Sequence, residues 1–500
     1  MRRPVFALGL VVAILTITVV VAEAVGSSAV VPGGRSRATT AAPVVGVRLV
    51  CPDVVSRQVG QIVRTTRVGV GQPASAGEGS ASGGSVVVTR LKELGSAKAR
   101  PVATLTRPGS SVKIAVTGDL GDLVVDGTGP LAPGLAADIF GLRDAGPYRG
   151  IDGVACTSPA GEAWALGAST TVGEHSELRL TNADDQPALV DVTLFGAKGR
   201  INAAAGRGVG VPARATRTIR LETLAPEERL LLIRVQVRSG RVATSVRVQS
   251  QKAATPQGQD WLPLAAAPSK RTVVPGIAGG AGPRRLVVAN PGEIDTTASI
   301  QLVSSRATFV PRGLSAVTVR AGSVVSIDVT KALGAGAAAA VVTAERPLVA
   351  AASISTGPQV NGYAELAWTA GVPRLTDPAS ALINVTKLNR SSALILSAPQ
   401  SAATVRLTTL LGLAPGVPIS ATLTIPAGRT LSVDLNKYAG SVDVGISVVP
   451  LGGSGPVYAA RLILQRGRRS PLITVLPLRS APVVRVVHPA FADLRAGLPR

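Results

Sequence analysis

The chain offers few side chains that could carry out a reaction. It has two cysteines, Cys51 and Cys156, two histidines, His175 and His488, and two adjacent acidic pairs, Asp184-Asp185 and Glu227-Glu228. Two thiols cannot complete a zinc site, and neither histidine stands at a ligand spacing from them. A hydrolase elbow needs Gly-x-Ser-x-Gly so that its serine sits on a strained turn, and no such window occurs. There is no Gly-Lys dipeptide for a phosphate loop and no Gly-x-Gly-x-x-Gly for a dinucleotide, and Ser176 and Pro489 after the histidines exclude His-Glu-x-x-His. A glycosidase needs paired carboxylates, but both acidic pairs sit in polar sequence that reads as turn or helix start. Asp119 and Asp122 in TGDLGDLVVDG are too sparse for the several oxygen ligands of calcium. The expectation is a protein with no catalytic residue, no metal site and no cofactor.

What chemistry remains is oxidation of the two thiols and positive charge. Arg2 and Arg3 precede an uncharged run from Val5 to Ala22. Eighteen residues at about 1.5 Å each reach roughly 27 Å, close to a bilayer core, and the N-terminal position marks an export signal. Two outcomes stay open, an uncleaved anchor over 5–22 and a signal cleaved after Ala24. Either way the remainder is extracytoplasmic, and in an oxidising compartment an even cysteine count reads as a disulfide. Cys51–Cys156 closes a loop of 105 residues, which loop-entropy arithmetic values at about 4.7 kcal/mol.

The formal net charge is +23, and arginine outnumbers lysine 43 to 9. Ten arginines and three glutamates fall between Arg200 and Arg247, and eight arginines and one acid, Asp493, between Arg461 and Arg500. Arg234 and Arg238 alternate with Ile233, Val235 and Val237, and Arg247 alternates with Val246 and Val248, so all three take the polar phase of strands. They are the candidate polyanion-binding residues, expected on one sheet face. The partners such a field attracts are anionic cell-wall polymers or lipid headgroups. Nucleic acid is disfavoured by the compartment and by an aromatic content of 2%, too low for base stacking. A merely solvated basic surface is the alternative.

These residues must be held by a framework, and the framework repeats. The pattern apolar, x, Ala or Pro, small or Gly, four residues and then a β-branched residue recurs as TRPGSSVKI (106–114), VPARATRTI (211–219, with Arg214 at the small position), VRAGSVVSI (319–327) and IPAGRTLSV (425–433). Asn182, Asn290 and Ala398 stand at equivalent places upstream, and Trp261 in DWLP is echoed by Trp368 in LAWTAG. Fixed-order matches at a period of about 108 residues are the signature of a repeat array. Period-two alternation and frequent turn residues make each unit β, with roughly seven to ten strands. The Ala-Gly step, and Gly240, Pro347 and Pro456 further on, are expected to be tight hairpins.

The fold class expected is all-β, tandem immunoglobulin-like β-sandwich repeats after an N-terminal hydrophobic helix; a propeller, with its shorter blades, fits less well. The boundaries are 1–24 signal or anchor, 25–46 linker, 47–163 degenerate N-terminal unit, then repeats over 164–272, 273–379 and 380–466, and a basic segment over 467–500. Asn384 and Asn389 match the glycan-acceptor pattern, idle in a bacterial chain.

Cys51-Pro52, Cys156, Trp164 in WALG, Asp260-Trp261-Leu262-Pro263, Asn290-Pro291-Gly292 and the Ala-Gly turns together resemble a family of secreted or membrane-tethered actinobacterial proteins, a domain of unknown function, over most of 47–490. The resemblance implies an extracytoplasmic, all-β, envelope-associated protein and carries over no catalytic residue. A non-enzymatic scaffold, adhesion or accessory protein is therefore expected. The alternative is a carbohydrate-binding or carbohydrate-processing protein of cell-wall polymer synthesis, which a buried carboxylate pair in a groove would favour.

Overall fold

The structure, a computed structural model, describes residues 40–53, 62–70, 83–115, 120–143, 145–146, 149–357, 362–382, 390–410, 417–439, 445–467 and 469–487. The expected N-terminal helix, Asp119, His488, Asn384 and Asn389 lie outside them. Among the described residues no helix is long and apolar enough to cross a membrane. Strands make up 58% of the described residues and helices 5%, in small antiparallel sheets.

The chain divides into two bodies, one of 44–483 and one of 1–43 with 484–500. The described part of the smaller body is an antiparallel ribbon, Thr40–Pro43 with Val484–Val487. The larger body holds four β-sandwiches in succession. Sandwich I runs from Gly46 to Ala155, II from Glu162 to Leu262, III from Ser269 to Ala370 and IV from Ala379 to Pro477. The last strand of IV, Leu472–Pro477, lies beyond the 466 boundary drawn from sequence, in what the arginine count marked as a basic segment.

All four sandwiches share one topology. With eight strand positions counted along the chain, one sheet has the order 1-6-3-4 and the other 5-2-7-8. In III positions six and seven are halves of one strand of 18 residues, Ala338–Ser355. The alternation read from sequence is the reason these strands form. In Ala188–Gly196, for example, Val190, Val192 and Leu194 are buried while Leu189, Asp191 and Thr193 are half-buried on the outer face.

The repeated Ala-Gly step adopts a left-handed turn in each copy, with φ of 68° at Gly109, 65° at Gly322, 67° at Gly428 and 52° at Arg214. Glycine takes this region freely, whereas arginine there is strained. The turn is not a hairpin, because it leads from position four of one sheet to position five of the other. Gly240, Pro347 and Pro456 likewise mark the passage from position six to seven, between sheets. Asn182 and Asn290 are equivalent in detail. The Asn182 amide donates to Gln186 O and Val211 O at 2.8 and 3.2 Å, and the Asn290 amide to Ile294 O and Val319 O at the same distances.

Two residues past the left-handed turn, each copy reaches back to the preceding sandwich. Thr216 Oγ1 of II donates to Asp122 of I. Val324 of III joins the core of II. Thr430 Oγ1 of IV donates to Val303 O of III at 2.7 Å. Ser111 Oγ of I donates to Leu410 O of IV at 3.5 Å, so the succession closes on itself as a ring. The two tryptophans follow the same rule, Trp261 of II packing into the core of I and Trp368 of III into that of II. The eighth strands, Gly150–Ala155, Thr255–Leu262, Leu366–Ala370 and Leu472–Pro477, pack on one another around the axis.

The four seams differ in chemistry. Val287, Ala289, Val349 and Ala351 of III merge with the core of II, and Ile395, Ala460, Ile473 and Val475 of IV merge with the core of III. Sandwich I is joined through smaller apolar clusters and through charge. On its II side Arg179 Nη2 lies 2.9 Å from Asp122 Oδ1. On its IV side the fully buried Arg461 lies 3.0 Å from Asp138 Oδ2, and Arg390 stacks over Phe140 at 4.5 Å from the ring centroid.

Removing one partner of a buried ion pair leaves the other charge in a dry site and costs roughly 3–5 kcal/mol. Asp138→Ala is therefore expected to destabilise the protein by about 3 kcal/mol in urea-induced unfolding. Hydrogen exchange should rise first along strands Leu135–Arg143 and Tyr458–Gln465, which meet at the closing seam.

Candidate functional site

The ring brings four sheet edges together at its axis, since the eighth strand is the edge of its sheet in every sandwich. An edge strand carries backbone N–H groups with no strand partner, and buried N–H groups need acceptors. Two carboxylates supply them. Asp260, on the eighth strand of II, accepts from the backbone N–H of Trp368 in III at 2.8 Å and from Thr474 Oγ1 of IV at 3.3 Å. Glu365, just before the eighth strand of III, accepts from the N–H groups of Gln259 in II and Leu366 at 3.3 Å each, and from Ile151 of I. Between them the two acids tie all four sandwiches.

Glycine makes room for this. A Cβ on Gly150 would lie 2.9 Å from Glu365 Oε1, so only a bare backbone lets the carboxylate sit against the eighth strand of I.

Both acids are deeply buried, with Glu365 at 0% and Asp260 at 1% exposure. Burial pushes the Asp260 carboxyl well above the ordinary carboxylate range. The N–H groups of Trp368 and Trp261 oppose that shift, and the neighbouring Asp152 adds to it. Burial likewise raises Glu365, against the pull of the Arg149 charge and its three backbone donors. Arg149 is itself buried, and loss of water lowers its pKa. A general acid with a raised pKa suits glycoside cleavage; here Asp260 and Glu365 accept hydrogen bonds from neighbouring sandwiches at the axis. The arrangement is an internal joint.

Sequence reasoning passed over both acids as site residues. The signal was present: each is a lone acid in an apolar strand context, GQDWL and AELAW. The residues chosen instead are placed as follows. Cys51 and Cys156 form a disulfide with Cα atoms 4.4 Å apart, joining the first strand of I to the segment just after its last. It staples the junction that Ala265 N to Trp164 O closes in II and Val372 N to Val273 O in III by hydrogen bonds alone. A buried disulfide is the mark of an oxidising, extracytoplasmic setting.

The three arginines are not brought together. Arg234 and Arg238 stand on the first sheet of II. Arg234 pairs with Glu162 at 2.7 Å and stacks over Trp164, and Arg238 pairs with Asp191 at 2.5 Å. Arg247 belongs to the second sheet, where it donates to Gln259 Oε1 at 2.7 Å. His175 is exposed, with Nδ1 3.4 Å from Glu222 Oε1. Asp184 is half-buried and pairs with Arg241 at 2.9 Å. No group of three or more His, Cys, Asp or Glu that could hold a metal ion is present among the described residues.

The family model described as a family of unknown function (DUF5719) matches residues 103–436, from the fourth strand of I to the short helix Asn436–Ala439 in IV. The chain belongs to that family. No curated protein matches it in sequence. Among solved structures, that of Streptomyces avermitilis alpha-L-rhamnosidase complexed with L-rhamnose has 10% sequence identity and a TM-score of 0.11, covering 87% of this chain and 55% of that one. The chain thus spans about half of that enzyme's length, and a likeness of this size carries no argument about DUF5719.

The raised pKa values give a pH dependence with a definite sign. A carboxyl whose folded pKa lies above its unfolded one binds more proton in the native state, so its contribution to stability is lost as pH rises from the ordinary carboxylate range through the folded value. Glu365→Gln keeps Oε1 as acceptor, and its amide replaces an oxygen, Oε2, that has no partner. The variant is expected to gain stability relative to the wild type as pH rises from mildly acidic to neutral. Thermal melts of both proteins across pH 4–8 check this, using the difference between the two.

Proposed function

We propose that this DUF5719 protein is a non-enzymatic scaffold of the cell envelope, held outside the membrane by residues 5–22 or released after Ala24, which binds anionic cell-wall polymers by charge. The observation that carries the reading is the use of the fold's buried acids. Asp138, Asp260 and Glu365 are consumed in joining one sandwich to the next, while a formal charge of +23 remains for the molecule as a whole. A ring whose first sandwich is locked by Cys51–Cys156 is suited to a stable extracellular platform. The export signal and the oxidising compartment point the same way.

Charge-driven attachment is screened by salt over about 10 Å at 0.1 M. Purified protein should therefore cosediment with cell-wall polymers at low ionic strength and be released at about 0.5 M salt, where screening is shorter still. Retention that is insensitive to salt, or none at low salt, would remove the reading. Since Arg234 and Arg238 already have acidic partners, Arg234→Gln with Arg238→Gln is expected to change retention less than twofold.

A further inference from the structure

At one end of the axis described residues at or just before the eighth strands meet, and each sandwich contributes. Gln257 Nε2 of II donates to Gly362 O of III at 2.9 Å. Arg149 Nη2 of I donates to Ser470 O of IV at 3.2 Å. Tyr363 of III stands between the two sides. Its ring centroid is 5.6 Å from Cζ of Arg149 and 4.6 Å from Cζ of Arg469 in IV, and its hydroxyl bonds Arg469 Nη1.

This grouping is unusual for its charge. Two guanidinium groups share one aromatic ring, although like charges at such range repel. Arg149 is 4% exposed, and its Nη1 has no hydrogen-bond partner. Neither arginine is in an ion pair with a described carboxylate. The charge of Glu365 acts on Arg149, but the hydrogen bonds of that carboxylate are accepted from backbone N–H groups. Other arginines of the body are matched by acids, as Arg461 is with Asp138, Arg179 with Asp122 and Arg48 with Asp126, or, like the buried Arg284, by a set of backbone carbonyls. A buried guanidinium with an idle N–H and no ion-paired carboxylate among the described residues is costly. A second cation stacked beside it raises that cost unless an anion is received there.

We propose that this end of the axis is an oxyanion site that takes the phosphate or carboxylate groups of an envelope polysaccharide. Arg469, exposed at the surface, supplies the planar pair of donors that matches two oxygens of such a group. Tyr363 orients that guanidinium through the stack and the hydroxyl contact. Arg149 stays behind the ring and contributes fixed positive charge without touching the ligand. Because the elements come from all four sandwiches, the site exists only in the closed ring. The proposal rests on the envelope-binding reading above and names the residues that carry it.

The test uses the full chain and two probes, a glycerol-phosphate polymer and an oligogalacturonate, with retention measured at low salt. Arg469→Gln and Tyr363→Phe are compared with the wild type and with the Arg234→Gln, Arg238→Gln pair, and their melting temperatures confirm that each variant is folded. The wild type is expected to retain at least one probe, with Arg469→Gln at least tenfold weaker. Arg469→Lys should recover only part of that loss, because lysine restores charge without the planar fork, and Tyr363→Phe should fall between. Which probe is retained distinguishes phosphate from carboxylate. If the wild type binds and Arg469→Gln binds equally well, the axial site is wrong while the broader reading stands. If the wild type retains neither probe, both are wrong.

Discussion

The structure depends on giving hydrogen-bond partners to four sheet edges that face one another across the ring axis. In an isolated sandwich each eighth strand would show its free N–H groups to water. Packing the four strands together removes the water, and every unpaired N–H then needs an acceptor from the protein. Asp260 and Glu365 meet that need with donors drawn from neighbouring sandwiches. Carboxylates suit the task because one oxygen can accept from several N–H groups, and their burial away from water raises their pKa.

From that joint the unevenness of the ring follows. Sandwiches II, III and IV share continuous apolar cores, so their mutual burial alone holds them. Sandwich I closes the circle on both sides with smaller apolar contacts and with ion pairs, whose net gain is modest because both charges lose their water. The disulfide falls in this one sandwich. It lies beside the junction of the first strand with the exit segment, the place where II and III manage with one backbone hydrogen bond. Covalent reinforcement therefore coincides with the part of the ring that has the least shared core.

The same geometry sorts the arginines. On the first sheet of II they are neutralised by acids on the two neighbouring strands, as Arg238 is by Asp191 and Arg234 by Glu162. At the seams they are spent on the neighbouring sandwich. At the axial end Arg149 and Arg469 stand on Tyr363, and neither is in an ion pair with a described carboxylate. A count of arginines along the chain points to the first group. Only the ring distinguishes the last.

The sequence alone determined the class of fold, the repeat and the disulfide. These are local or arithmetical properties: period-two alternation sets which face of a strand is buried, matched positions such as Asn182 and Asn290 set the repeat, and two cysteines allow one pairing. The sequence also marked the left-handed turn at Gly109, Gly322 and Gly428, but not its consequence. A turn residue permits a change of direction without saying whether the next strand pairs beside the last or crosses to the opposite sheet. Ring closure was not legible either, because it depends on contacts such as Ser111 with Leu410, between residues far apart in the chain and ordinary in type. The tertiary structure alone decided the roles of Asp260, Glu365, Arg149 and Arg469. A charged side chain's function is set by which partners and how much water surround it, and here those partners come from other sandwiches.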